Sequence, residues 1–117
     1  MPEYVLIESH DPVDGDDVRH LSDLAEFLAR AEGRVTVLFV QDGIFAALAG
    51  HRPACLRALE RAGVNILADG SSLRARGIPL TRLAPGIRST DAEVPMQVLL
   101  EGHKALWITD RRPRRAA

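Results

Sequence analysis

Arg34-Val35-Thr36-Val37-Leu38-Phe39-Val40 is β-branched and almost wholly apolar, and the polar, glycine-bearing Gln41-Asp42-Gly43 follows it at once. A run of that length without polar alternation suits a strand covered on both faces, the central strand of a parallel sheet. On its N-terminal side Gly33 closes an amphipathic stretch, Asp16 to Ala31, in which Val18, Leu21, Leu24, Ala25, Leu28 and Ala29 recur at helical spacing. Acidic residues lie toward the start of that stretch and Arg30 near its end, as the helix dipole favours. Before it, Tyr4-Val5-Leu6-Ile7 reads as a buried first strand that breaks into the polar loop Glu8-Ser9-His10-Asp11-Pro12.

On the C-terminal side the pattern repeats. Ile44 to Ala49 predicts a short helix closed by Gly50, and a second helical piece starts at Pro53, carrying Leu56, Leu59 and Ala62 before Gly63. Val64 to Ala68 supplies a third strand. A helical turn to Ala75 is capped by Ser71 or Ser72 and ended by Gly77. Ile78 to Ser89 is irregular, with a short strand near Ile87, and a helix from Ala92 to Leu100 leads to a last strand, Lys104 to Thr109. Strands alternating with helices in this way predict an α/β fold, a three-layer α/β/α sandwich with a mainly parallel five-stranded sheet of the flavodoxin-like kind. Residues 1–110 read as one domain and 111–117 as a basic tail, Arg111-Arg112-Pro113-Arg114-Arg115.

Composition narrows the function classes. With 117 residues, 46% hydrophobic and 26% charged, the chain is long enough to bury one core without staples. The net charge of -1 gives no field to hold a polyanion, so no nucleic-acid partner is expected. No apolar run approaches the roughly 20 residues of a membrane-spanning helix, and Met1-Pro2-Glu3-Tyr4 lacks the features of a signal peptide, so no membrane partner and a cytoplasmic location are expected. Cys55 is the only cysteine, which rules out an intrachain disulfide. His20, His51 and His103 show no metal-ligand spacing, and the first loop matches no nucleotide-binding fingerprint, so neither metal nor cofactor is expected.

In a parallel α/β fold, ligands bind at the carboxyl ends of the strands. The candidate ligand- or partner-binding residues are therefore Ser9 and His10 after the first strand, Gln41, Asp42 and Gly43 after the second, and Asp69, Ser71, Ser72, Arg74 and Arg76 after the third. The arginines suit a small anion, a carboxylate or a sulfur oxyanion, through charge-assisted hydrogen bonds; otherwise they pair with the acidic first loop. His10 beside Asp11 is a candidate acid–base pair for a small hydrolase or isomerase, given a pocket joining it to Ser72. Cys55, near His51, Arg52 and Arg57 in the turn after Pro53, is either a thiolate nucleophile or a member of the apolar helix face with Leu56 and Leu59.

Three motifs in order resemble one family. Leu38-Phe39-Val40-Gln41-Asp42-Gly43-Ile44-Phe45-Ala46-Ala47-Leu48, then Ala62-Gly63-Val64-Asn65-Ile66, then Leu73-Arg74-Ala75-Arg76-Gly77-Ile78 look like the successive signatures of DsrE/DsrF-like sulfur-relay proteins, over Tyr4 to about Thr109. The resemblance implies a cytoplasmic homo-oligomer, a trimer or hexamer, or part of a mixed assembly, that accepts sulfane sulfur as a cysteine persulfide and passes it to a partner protein. It places the acceptor thiols at Asp69 and Ser72, where this chain has none, so persulfide transfer at the usual position is chemically excluded. Two expectations follow: a non-catalytic binding or accessory subunit, or a sulfurtransferase whose acceptor has moved to Cys55. The apolar residues Ile44–Ala49 and 94–100 are expected to supply an oligomer interface.

Overall fold

The computed structural model describes residues 3–9, 11, 17–31, 33–50, 55–90 and 104–108. Strand β1 (Glu3–Glu8) leads to helix α1 (Asp17–Arg30), strand β2 (Arg34–Phe39), a 3-10 helix (Gln41–Ala47) and helix α2 (Cys55–Arg61). Strand β3 (Asn65–Asp69), helix α3 (Gly70–Ala75), a 3-10 turn (Leu80–Arg82), strand β4 (Arg88–Thr90) and strand β5 (Lys104–Ile108) complete the described chain. The sheet has five strands in the order β4-β3-β2-β1-β5, and every pair is parallel.

The stretch that reads as the central strand is central. Strand β2 pairs Arg34 to Phe39 with Glu3 to Glu8 of β1 on one side, and Thr36 to Phe39 with Asn65 to Ala68 of β3 on the other. Its alternate side chains enter two separate cores. Val35, Val37 and Phe39 join Leu6, Ile66 and Ala68 of the neighbouring strands with Leu21 and Ala25 of α1, Leu56 and Leu59 of α2 and Leu73 of α3. Leu38 packs on the opposite face with Val5 and Ile7, and these three are also buried. Burial on both faces is the reason that the strand shows no polar alternation. Fully burying a side chain such as Phe39 or Leu6 contributes roughly 1.5–3 kcal/mol.

Four expectations change. Glu8, read as the start of the loop, is the last residue of β1, paired with Phe39 and Ile108, and it is completely buried. The helix expected from Ile44 starts at Gln41 and is of the 3-10 type. Ile44, Ala46, Ala47 and Leu48 lie in the larger core, so this segment does not supply the apolar surface expected of it for an oligomer. Finally, the cap of α3 is Asp69 rather than Ser71 or Ser72: its carboxylate accepts from the Ser72 N–H. The expected helix over 92–100 and the tail 111–117 lie outside the described residues. Among the described residues no helix is long and apolar enough to cross a membrane.

Candidate functional site

Because β1, β2 and β3 are adjacent and parallel, the segments that leave their carboxyl ends meet at one edge of the sheet. Two backbone features bring them into contact. Gly43 lies so close to β1 that a Cβ there would sit 2.3 Å from the Glu8 carbonyl oxygen and 3.3 Å from Ser9 Cα. Only glycine allows that approach, which seats the 3-10 helix on the end of β1. Gln41 has φ of 50°, the left-handed region that non-glycine residues seldom adopt. The turn at Gln41 aims its N–H at the segment after β3, where it donates to Ser72 Oγ at 2.7 Å.

Ser72 and Asp69 form the centre of this junction. Oδ2 of Asp69 accepts from Ser72 Oγ at 2.5 Å, from the Ser72 N–H at 3.1 Å and from Ser71 Oγ at 2.9 Å. The Ser72 hydroxyl therefore donates to Asp69 and accepts from Gln41, which links the ends of β3 and β2 through one oxygen atom. Asp69 and Ser72 are both buried, and Oδ1 of Asp69 has no hydrogen-bond partner among the described residues. Arg76 closes the outer side. Its Nε and Nη2 donate to Asp42 Oδ1 at 3.0 and 2.8 Å, and its Nη1 donates to the Ser72 carbonyl at 3.2 Å. Thus Arg76 pairs across the junction with Asp42 of the second strand-end segment, while the acidic residues 14 and 16 of the first loop lie outside the described residues.

Gln41, Asp42, Gly43, Asp69, Ser71, Ser72 and Arg76 are thus brought together, and half-buried Ser9 lies against Gly43. Arg74 is not part of the junction: it is exposed and lines a separate groove with Ser89 and Thr90 of β4. His10 and the side chain of Cys55 lie outside the described residues; the backbone of Cys55 opens α2. Among the described residues no three His, Cys, Asp or Glu side chains gather as metal ligands would. The sequence reading missed Glu8, because a carboxylate after an apolar run looks like the start of a loop. Of the groove residues the sequence singles out Arg74, whereas Ile78, Pro79, Leu80, Ser89 and Thr90 sit in a stretch with neither helical nor alternating periodicity.

The chemistry open to this junction is limited. A serine nucleophile needs a base that takes its proton and a lone pair directed at substrate. Here the Ser72 hydroxyl is committed on both sides, donating to the cap carboxylate and accepting from the Gln41 N–H, inside a buried junction.

Fold and junction together define the class: a small parallel α/β protein whose strand-end segments are tied to one another by polar bonds, with no thiol at that point. Residues 19–104, well over half of the chain, match the family described as "DsrH like protein", and the chain belongs to that family. The resemblance to DsrE/DsrF-like proteins is thereby borne out as membership of the wider DsrE/DsrF/DsrH type, with DsrH the description that matches. Solved structures with the same fold include the ychN protein of E. coli, at 21% identity and TM-score 0.80, covering 92% of this chain and 99% of that one. MTH1491 of Methanobacterium thermoautotrophicum, described as of unknown function, follows at 20% identity and TM-score 0.78, with the same coverage. BT1422 of Bacteroides thetaiotaomicron, also described as of unknown function, has 18% identity and TM-score 0.72, over 91% of this chain and 94% of that one. At these identities the likeness concerns the fold alone. No curated protein matches the chain.

Proposed function

We propose that this chain is a non-catalytic binding or accessory subunit of a cytoplasmic sulfur-relay system, working in an oligomer with itself or with a sulfur-relay partner. The observation that carries this reading is the state of Asp69 and Ser72. They stand where the family resemblance expects acceptor thiols, and they are buried and bonded to each other and to Gln41. A carboxylate cannot hold sulfane sulfur, and a serine hydroxyl has neither the acidity nor the polarisability of a thiol. What the junction does instead is hold the ends of β2 and β3 in one arrangement, which suits a subunit that presents a fixed surface.

Incubation with a polysulfide followed by mass spectrometry tests the reading. The expected result is no stable addition of sulfur. One sulfur atom added at Cys55 and lost in Cys55→Ser would replace it with the displaced-acceptor sulfurtransferase. The oligomer has its own check, size-exclusion with light scattering over a range of concentrations. A monomer throughout removes that part of the reading.

A further inference from the structure

Arg74 and Arg76 differ in what surrounds their charge. The guanidinium of Arg76 is engaged by Asp42 and by the Ser72 carbonyl, whereas that of Arg74 has no hydrogen-bond or ion-pair partner among the described residues. Arg74 lines an open groove of about 520 Å³ between α3 and β4. Leu73, Ile78, Pro79 and Leu80 supply its apolar side, and Ser89 and Thr90 of β4 supply its polar side together with Arg74. That is the size and make-up of a small-ligand site, roughly 300–1,000 Å³ with an apolar lining and a few polar groups that fix orientation.

We propose that this groove binds a small organic acid, with a carboxylate or sulfonate on Arg74 and a short aliphatic body against Leu73, Ile78, Pro79 and Leu80. Three further observations support that ligand class. Arg74 is the one charged residue among the described residues that line the groove, and no aspartate or glutamate is among them, so the lining carries a positive charge with no carboxylate beside it. Leu80 is 59% exposed, one of two large hydrophobic side chains so exposed among the described residues, and it stands at the groove. Gly70 makes room for the guanidinium of Arg74. A Cβ there would meet the Thr90 carbonyl oxygen at 3.2 Å and Arg74 Nη1 at 3.3 Å, so its absence lets the guanidinium lie over the start of α3 beside the end of β4. An anion on Arg74 is then within the same lining as the two β4 hydroxyls, which are donors, and the aliphatic body covers Leu80. A cation meets the like charge of Arg74, and a neutral alcohol gains the apolar contact without the charge-assisted bond.

The site gives a ligand class to the binding role proposed above and rests on that role, but the two fail separately. The full chain, isotope-labelled, is titrated with sodium hexanoate, hexanesulfonate, hexylammonium chloride and hexanol while its amide resonances are followed. The two anions should shift Gly70, Leu80, Ser89 and Thr90 saturably, with little effect from the amine or the alcohol. Arg74→Gln should weaken hexanoate binding about tenfold or more. Arg61→Gln, which removes the same charge from α2, should leave it within about twofold. Leu80→Ser should cost about threefold, and undisturbed spectra of the variants show that they fold. Equal shifts with hexylammonium, unchanged binding in Arg74→Gln, shifts centred on Asp42 and Arg76, or no saturable shift would each overturn the groove. None of these outcomes touches the sulfur-addition result at Cys55, and sulfur addition there would defeat the accessory role while leaving the groove in place.

Discussion

The junction between β2 and β3 and the groove between α3 and β4 share the nine-residue segment Asp69 to Gly77, yet they use its polar groups in opposite ways. In the junction every hydroxyl and charged group that the segment contributes is bonded within the protein, through Asp69, Ser71, Ser72 and Arg76. In the groove Arg74 keeps its donors available beside exposed apolar surface. A charged residue at a strand end is therefore not in itself a sign of binding. What distinguishes the two regions is whether another part of the fold already satisfies the charge.

Substitutions sharpen that contrast, and the largest effect is expected at Gly43. Gly43→Ala places a methyl group against the Glu8 carbonyl, and since the obstacle is backbone the 3-10 helix must move. A loss of about 3 kcal/mol in urea-unfolding stability is expected, and a loss below about 1 kcal/mol would show that the close approach does not hold the junction. Asp69→Ala comes next, at about 2–3 kcal/mol, because it removes the acceptor for three donors, two of them at the buried Ser72. Asp69→Asn keeps an accepting oxygen and replaces Oδ1, which has no hydrogen-bond partner among the described residues, so about 1 kcal/mol is expected. Similar losses in the alanine and asparagine variants would contradict the bonding described here.

Ser72→Ala leaves the Gln41 N–H without its acceptor and should cost about 1–1.5 kcal/mol, with faster hydrogen exchange at the Gln41 amide as its local signature. Arg76→Ala should cost only about 0.5 kcal/mol, diminishing further in high salt, because Asp42 is 59% exposed and water already screens the pair. Arg74→Gln should leave stability within about 0.3 kcal/mol, since no bond inside the described protein is lost. If Arg74→Gln destabilised the chain more than Arg76→Ala, the division between junction and groove would not stand.

The architecture was legible because its signals are local. Three of the strands, helix α1 and the order of the elements all appear as runs or periodicities within a few residues of one another, and the structure moves their ends by no more than one position. The site was legible only as a roll of loops. Ser9, Gln41, Gly43, Asp69 and Ser72 do converge, but closeness in sequence groups Arg74 with Arg76, and the two serve different surfaces. In the sequence Asp69 shows only the lack of a thiol, whereas its carboxylate also has the structural task of capping α3.

The sequence alone determined the alternation of strands and helices, the doubly covered central strand, the family signatures and the lack of a thiol at Asp69 and Ser72. Each of these depends on residue identity or on spacing along the chain. Only the tertiary structure decided which polar groups satisfy one another. The bonds that settle it join Gln41 to Ser72 across 31 residues and Asp42 to Arg76 across 34. Pairings at that separation are set by the register of β2 against β3 and by the left-handed turn at Gln41, and no local pattern encodes either. That register closes the junction and leaves Arg74 open to solvent.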